Sequence, residues 1–176
     1  MRITISGTPG SGKSVVGKFL SKKLNLKYYG SGELIRTFAK RKKLNLIELN
    51  NLLKKNKNLD KNFNENIKRF NLIDDFILDS RLGFLFIKGG IHIFLDADLN
   101  LRAKRIFKDK RKLENFEKID EVKNEIKNRL FLEKERFKKL YDIDFTNLNH
   151  YDLVIDTTNM NVKLISKIIL KHLRKK

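Results

Sequence analysis

Two hydrophobic periods alternate along this chain. Short runs rich in consecutive apolar residues occur at Arg2-Ile3-Thr4-Ile5-Ser6, Asp75-Phe76-Ile77-Leu78-Asp79, Ile91-His92-Ile93-Phe94-Leu95-Asp96 and Leu153-Val154-Ile155-Asp156. Runs of this length, apolar on both faces, predict strands of a buried parallel sheet. Between them the apolar positions are spaced three and four apart, as in Val15, Phe19, Leu20 and Leu24, which predicts a helix over 14–24. The same spacing predicts helices over 33–41, 99–108 and 162–173, and a long charged one over 114–141 with a break near its start. A short second strand at Lys27-Tyr28-Tyr29 ends in Gly30-Ser31-Gly32, where Ser31 is placed to cap the helix that follows. Residues 46–71 are helical in pattern but strongly polar, enough for two helices. Strands alternating with helices predict an α/β fold, a three-layer α/β/α sandwich around a five-stranded parallel sheet.

Composition adds limits to that picture. A length of 176 residues suits a single domain over 1–176, and with one proline in the chain no Pro-rich linker divides it. The absence of cysteine removes disulfides and thiolate metal sites and agrees with a reducing cytoplasm. Three histidines argue against a structural zinc site. No apolar leader opens the sequence and no run of ~18 apolar residues occurs, so a cytoplasmic protein without a membrane segment is expected. The formal charge of +19 attracts phosphate-bearing partners of any kind. Most of it is lysine spread over helical segments, which reads as solvated surface.

The most specific chemistry lies between the first strand and the first helix. Gly7-Thr8-Pro9-Gly10-Ser11-Gly12-Lys13-Ser14, followed by Val15, matches G-x-x-x-x-G-K-[ST] in the strand–loop–helix context that this pattern requires. Its backbone N–H groups and the helix N-terminus suit the phosphates of ATP, Lys13 the β/γ-phosphates, and the Ser14 hydroxyl a Mg²⁺ ion. Asp79 closes the third strand and is a candidate to hold Mg²⁺ through water, with Asp96, at the end of the next strand, as its competitor. Arginines follow successive strands: Arg36, Arg81, then Arg102 and Arg105. Phosphoryl transfer rests on positioning and on positive charge around the moving group, and ligands of open α/β sheets bind at the strands' carboxyl ends. Arg129, Glu133 and Arg136 share one helix face by spacing, which fits either a phosphate-binding row or a surface ion-pair ladder.

With these residues in place, the chain resembles the nucleoside monophosphate kinases, most closely the archaeal type of cytidylate kinase, nearly end to end. Ser31-Gly32-Glu33-Leu34-Ile35-Arg36 resembles the family's S-x-G-E-x-x-R segment, and Asp79-Ser80-Arg81-Leu82 its E-G-R-L segment, with Ser80 where the family usually has glycine. Phe94-Leu95-Asp96-Ala97 with Arg102 and Arg105 is similar to the stretch leading into a mobile lid. Tyr151 to Thr158 resembles the closing segment near the donor base. The resemblance implies a P-loop kinase fold with core segments 1–30, 73–104 and 150–176, a monophosphate-binding arm over about 31–72 and a lid over about 105–118. It implies phosphoryl transfer from ATP to CMP, and to dCMP, with Mg²⁺ at Ser14 and Asp79. Lys13, Arg81, Arg129 and Arg136 would act on the reacting phosphates, residues 7–15 with Arg102 and Arg105 would bind ATP, and Ser31, Arg36, Arg81, Arg129 and Glu133 would bind CMP. Small nucleotides would be the partners of a monomer, with no specific nucleic acid. Two other readings stay open: another monophosphate kinase of this fold, such as an adenylate kinase, and a P-loop ATPase of RNA or ribosome assembly.

The charge separates the last reading from the others. If the lysines are solvated surface, RNA binding should be non-specific and should collapse between ~50 and ~200 mM salt. Filter binding with an unrelated RNA checks this, and tight binding that survives the higher salt would favour the assembly reading.

Overall fold

The computed structural model describes residues 1–109 and 116–175. Its centre is a parallel sheet of β1 (Arg2–Gly7), β2 (Lys27–Gly30), β3 (Phe76–Asp79), β4 (Ile91–Asp96) and β5 (Leu153–Asp156), in the order β2-β3-β1-β4-β5. Successive side chains of a strand point to opposite faces, and the register makes those faces continuous. Ile3 pairs with Ile77 and Ile91, Ile5 with Ile93, and Leu95 with Ile155. This face carries Ile3, Ile5, Ile77, Ile93, Leu95 and Ile155 against Val16 and Leu20 of α1 (Lys13–Leu24) and Ile165 and Ile169 of α8 (Val162–Leu173). The opposite face presents Phe76 and Leu78 to Ile67 and Ile87, and Phe94 to Leu82, Phe137 and Phe145. Burial on both faces is the reason β1, β3 and β4 read as continuous apolar runs, whereas the edge strand β5 leaves Val154 exposed.

Residues 31–72 rise from the sheet as α2 (Ser31–Arg41), α3 (Leu46–Lys55), α4 (Lys57–Lys68) and a 3₁₀ turn (Arg69–Leu72). This arm has a small core of its own, with Ala39, Leu46, Leu49 and Leu53 buried against Ile35, Phe38 and Phe63. A reciprocal cap starts α3: the Asn45 side chain accepts from the Glu48 N–H and the Glu48 carboxylate from the Asn45 N–H, each at 2.8 Å. On the sheet's second face α5 (Gly83–Phe86) packs on β1 and β4, while α6 (Leu99–Lys108) packs against α7 (Ile119–Tyr141), which runs from α6 to the arm.

The predicted helices and strands are found, with three differences. Ser31 is the first residue of α2 and not its cap; its Oγ donates to the Asp79 carbonyl at 2.9 Å, a tertiary partner replacing the local one. The third strand begins at Phe76, because Asp75 sits at φ 59, outside extended geometry, with its carboxylate on the N-terminal ammonium at 2.8 Å. Residues 110–115, which hold the middle of the expected lid and the expected start of the long helix, lie outside the described residues; α7 is described from Ile119.

Burial ranks two aromatic residues oppositely. Phe94 is 2% exposed and Phe131 is 61% exposed. Phe94→Ala should cost about 3–5 kcal/mol of unfolding free energy, through lost transfer energy and the cavity left behind, whereas Phe131→Ala should stay within about 0.5 kcal/mol. Urea unfolding of the two variants checks the contrast.

Candidate active site

The carboxyl ends of β1, β3 and β4 converge on the glycine loop. Gly7 stands at φ +140, and a Cβ there would lie 1.9 Å from the Leu95 carbonyl oxygen, so only glycine lets β1 turn this close to β4. Thr8 fastens the turn: its N–H donates to the Leu95 carbonyl at 3.2 Å and its hydroxyl to Asp96 Oδ1 at 2.5 Å. Thr157, fully buried beyond β5, closes the far side, with its hydroxyl 3.0 Å from the Ser11 carbonyl oxygen and 2.9 Å from that of Asp96. Asp96 also accepts from the Ala97 N–H at 2.8 Å, so its carboxylate braces the loop.

Lys13 folds back over the loop and donates to the Thr8 carbonyl at 2.6 Å. Burial, and then the positive charge of Arg81, push its ammonium well below the usual lysine range. Ser14, next in sequence, donates from Oγ to Asp79 Oδ2 at 2.6 Å, and the Tyr28 hydroxyl reaches the same oxygen at 3.1 Å. Of the two candidate metal carboxylates, Asp79 therefore stands beside the Ser14 hydroxyl, while Asp96 is occupied by Thr8. Burial and the Asp79 charge push the Tyr28 phenol up.

Arg81, just past β3, turns back onto β1, donating from Nη1 to the Gly7 carbonyl and from Nε to Glu133 Oε2 at 2.7 Å. Arg129 meets the other oxygen of Glu133 at 3.0 Å. One carboxylate, 5% exposed, thus holds two arginines from different elements. Burial alone would raise Glu133, but Arg81 and then Arg129 outweigh it and bring its carboxyl down to about 2. The row expected on α7 divides here. Arg136 Nη1 turns to Asp60 of the arm at 2.8 Å, away from the pair that Glu133 holds.

A single cavity of about 890 Å³ joins these parts. Residues 9–15 of the loop line it with Ser31, Arg36, Asp79, Arg81, Arg129, Glu133 and Arg136, as does Arg105. Arg105 is anchored by Thr157, from Nη1 to the hydroxyl at 3.1 Å and from Nη2 to the carbonyl at 3.0 Å. Gly7, Thr8 and Arg102 do not line it. Arg102 lies 9% exposed behind the loop, with Nε on the Ala97 carbonyl at 2.8 Å, and supports the loop's backbone near Gly10. Tyr28, Asp60 and Asn64 are among the cavity residues that escaped the sequence reading. Tyr28 stands 51 residues from its partner Asp79, and Asp60 stands 76 from Arg136, so no local pattern marks either.

The model of the cytidylate kinase-like family matches residues 2–159. The cytidylate kinase of Sulfurisphaera tokodaii is 39% identical, over 98% of this chain and 95% of that protein. That of Methanosphaera stadtmanae is 32% identical, over 100% of this chain and 99% of the relative. Among solved structures, shikimate kinase from Bacteroides thetaiotaomicron superposes with a TM-score of 0.67 over 99% of this chain and 98% of that one, at 15% identity, a likeness of fold alone. A phosphate loop sharing one cavity with opposed arginines, and end-to-end likeness to these relatives, lead to one statement: the chain belongs to the cytidylate kinase-like family.

Proposed function

We propose that this nucleoside monophosphate kinase transfers the γ-phosphoryl group of ATP to CMP, and to dCMP, giving ADP and CDP or dCDP. The observation that carries the reading is the placement of Arg81 and Arg129, clamped on Glu133, inside the cavity that begins at the P-loop. Two polyanions have to meet there, and their repulsion is the main barrier that the site must lower. CMP as the acceptor is supported by the relatives' names, cytidylate kinase in each case.

In this scheme residues 9–15 bind the donor phosphates through backbone N–H groups. Lys13 leaves the Thr8 carbonyl for the β/γ-oxygens, and the arriving negative charge offsets the burial that disfavours its ammonium. Arg105, anchored on Thr157, would serve the donor. Arg36, Arg81 and Arg129 hold the acceptor phosphate. No general base is required, because a phosphate oxygen of the acceptor is already ionised at neutral pH. The Ser14 hydroxyl and the Asp79 carboxylate fit Mg²⁺: both are hard oxygens, 2.6 Å apart, and Mg²⁺ takes few protein ligands when phosphates and water supply the rest. Bound there, it would neutralise charge on the donor's β- and γ-phosphates. Tyr28, on the same Asp79 oxygen, fixes that carboxylate's orientation.

A panel of nucleoside monophosphates with ATP tests the function: CMP should give the highest kcat/KM, and an equal or better rate with AMP would move the chain to the adenylate kinases. Arg36→Ala and Arg81→Ala should each lower kcat/KM for CMP by about ten- to a hundred-fold, the loss of a charge-assisted bond to phosphate. KM for ATP should stay within a few-fold, and steady-state kinetics with each substrate varied in turn checks the division.

Glu133 supplies a pH test. Its carboxyl lies at about 2 in the folded chain against 4.5 for an ordinary glutamate, so the unfolded state binds the proton first as pH falls. Its contribution, roughly 3 kcal/mol by linkage, is therefore complete above about pH 4.5 and is lost between there and about pH 2. The stability gap between the wild type and Glu133→Gln should be widest near pH 7 and should narrow on acidification through that window. Denaturant midpoints at successive pH values measure it.

A further inference from the structure

Thr157 stands one residue past β5 and does not line the cavity, yet it bonds to both Arg105 and the phosphate loop. It is fully buried, between Asp156 and Thr158, whose side chains bond each other in an exposed position. A threonine hydroxyl has one proton to give and two lone pairs to fill. Its oxygen lies 2.9 Å from the Asp96 carbonyl oxygen and 3.0 Å from that of Ser11, and it accepts from Arg105 Nη1 at 3.1 Å. The two carbonyls are not equal claimants for the proton. That of Asp96 already accepts the Thr157 N–H at 2.8 Å, whereas the hydroxyl is the donor that reaches the Ser11 carbonyl. Leaving a buried acceptor unpaired is costly, so the proton goes to Ser11. A chain results, from Arg105 through the Thr157 hydroxyl to the Ser11 carbonyl, and the guanidinium charge strengthens it. Arg105 grips the same place twice more, with Nη2 on the Thr157 carbonyl at 3.0 Å and Nη1 3.5 Å from the Gly10 carbonyl.

Peptide planarity carries this chain into the loop. The bond joining Ser11 to Gly12 is trans, so its C=O and N–H point in opposite directions. A carbonyl held by Thr157, outside the cavity, turns the Gly12 N–H toward the cavity that Gly12 lines. Gly12 stands at φ +93, and no atom lies within 4 Å of a Cβ placed there, so packing on that side does not hold the peptide. Resting on the reading of residues 9–15 as the loop that binds the phosphates of ATP, we propose that Thr157 is a positioning residue of the donor site. Its hydroxyl aims the Gly12 N–H at a donor phosphate and sets the Arg105 guanidinium from the same oxygen. Thr157 itself touches no substrate. One atom thereby couples the loop's anion-binding geometry to the arginine beyond it, and loss of that atom loosens both.

The test uses Thr157→Val, which keeps the shape and loses donor and acceptor, Thr157→Ser, which keeps both, and Thr157→Cys, whose thiol is a weak donor and weak acceptor. Steady-state kinetics gives KM for ATP and for CMP, and calorimetry gives the Kd of the pyrophosphate that ATP displaces, a probe without base or ribose. Thr157→Val should raise KM for ATP and Kd for pyrophosphate by about tenfold each, with KM for CMP within about two-fold. Thr157→Ser should restore both to within about two-fold of wild type, with Thr157→Cys in between; where Thr157→Val does not fold, Thr157→Cys against Thr157→Ser carries the comparison. Arg105→Ala combined with Thr157→Val should cost less in kcat/KM for ATP than the product of the single losses, because both cut one chain. A folded Thr157→Val that binds ATP and pyrophosphate as wild type does, a loss that Thr157→Ser shares, a loss equal for ATP and CMP, or single losses that multiply overturns the assignment while CMP kinase activity stands. Wild type that transfers nothing from ATP to CMP removes the functional reading instead, and pyrophosphate binding then still decides for or against Thr157.

Discussion

Like charges crowded together without their counter-ions are the constraint on which this structure turns. A site that must receive two polyanions has to keep Lys13, Arg81 and Arg129 close before either substrate arrives. Glu133 meets the constraint, one buried carboxylate dividing its two oxygens between two arginines. Burial, and then the charge of Arg81, depress the Lys13 ammonium, which is folded on the Thr8 carbonyl. A phosphate beside Lys13 would offset the burial that disfavours its ammonium. This is a form of preorganisation in which the charges are placed in advance.

The glycine loop and the arm meet through β3. The side-chain oxygen of Asp79 that accepts from Ser14 also accepts from Tyr28, while its carbonyl accepts from Ser31 at the start of the arm. A shift at either substrate's side is thereby felt at the end of one fully buried strand, which packing holds fixed. On the other side of β1, Thr8, Asp96 and Thr157 form a second brace around the loop. The arm is held differently, by its own small core and by the Arg136–Asp60 pair. A fastening made of ligand-facing groups would let acceptor binding and arm position bias each other.

What is local or periodic could be read along the chain. Apolar runs at Ile3, Ile77 and Ile93 marked parallel strands because both faces of such strands are buried, and the Gly7–Ser14 pattern marked a phosphate loop because few residue orders let backbone N–H groups surround an anion. The sequence also placed Arg36, Arg81 and Arg129 in one site, through a resemblance carried by ordered motifs. Tertiary structure alone decided which carboxylate faces Ser14, since Asp79 and Asp96 end the two strands that flank β1 in equivalent fashion, and the Thr8 hydroxyl engages Asp96 while the Ser14 hydroxyl engages Asp79. It turned Ser31 from a helix cap into a tether of Asp79, withdrew Arg102 behind the loop, and split Arg136 from Arg129. Each outcome depends on a partner 48 or more residues away or on a side chain's choice among several acceptors. Spacing along a helix fixes which residues share a face; it does not fix what stands opposite that face, and for Asp60 and Asn64 that was the whole of the information.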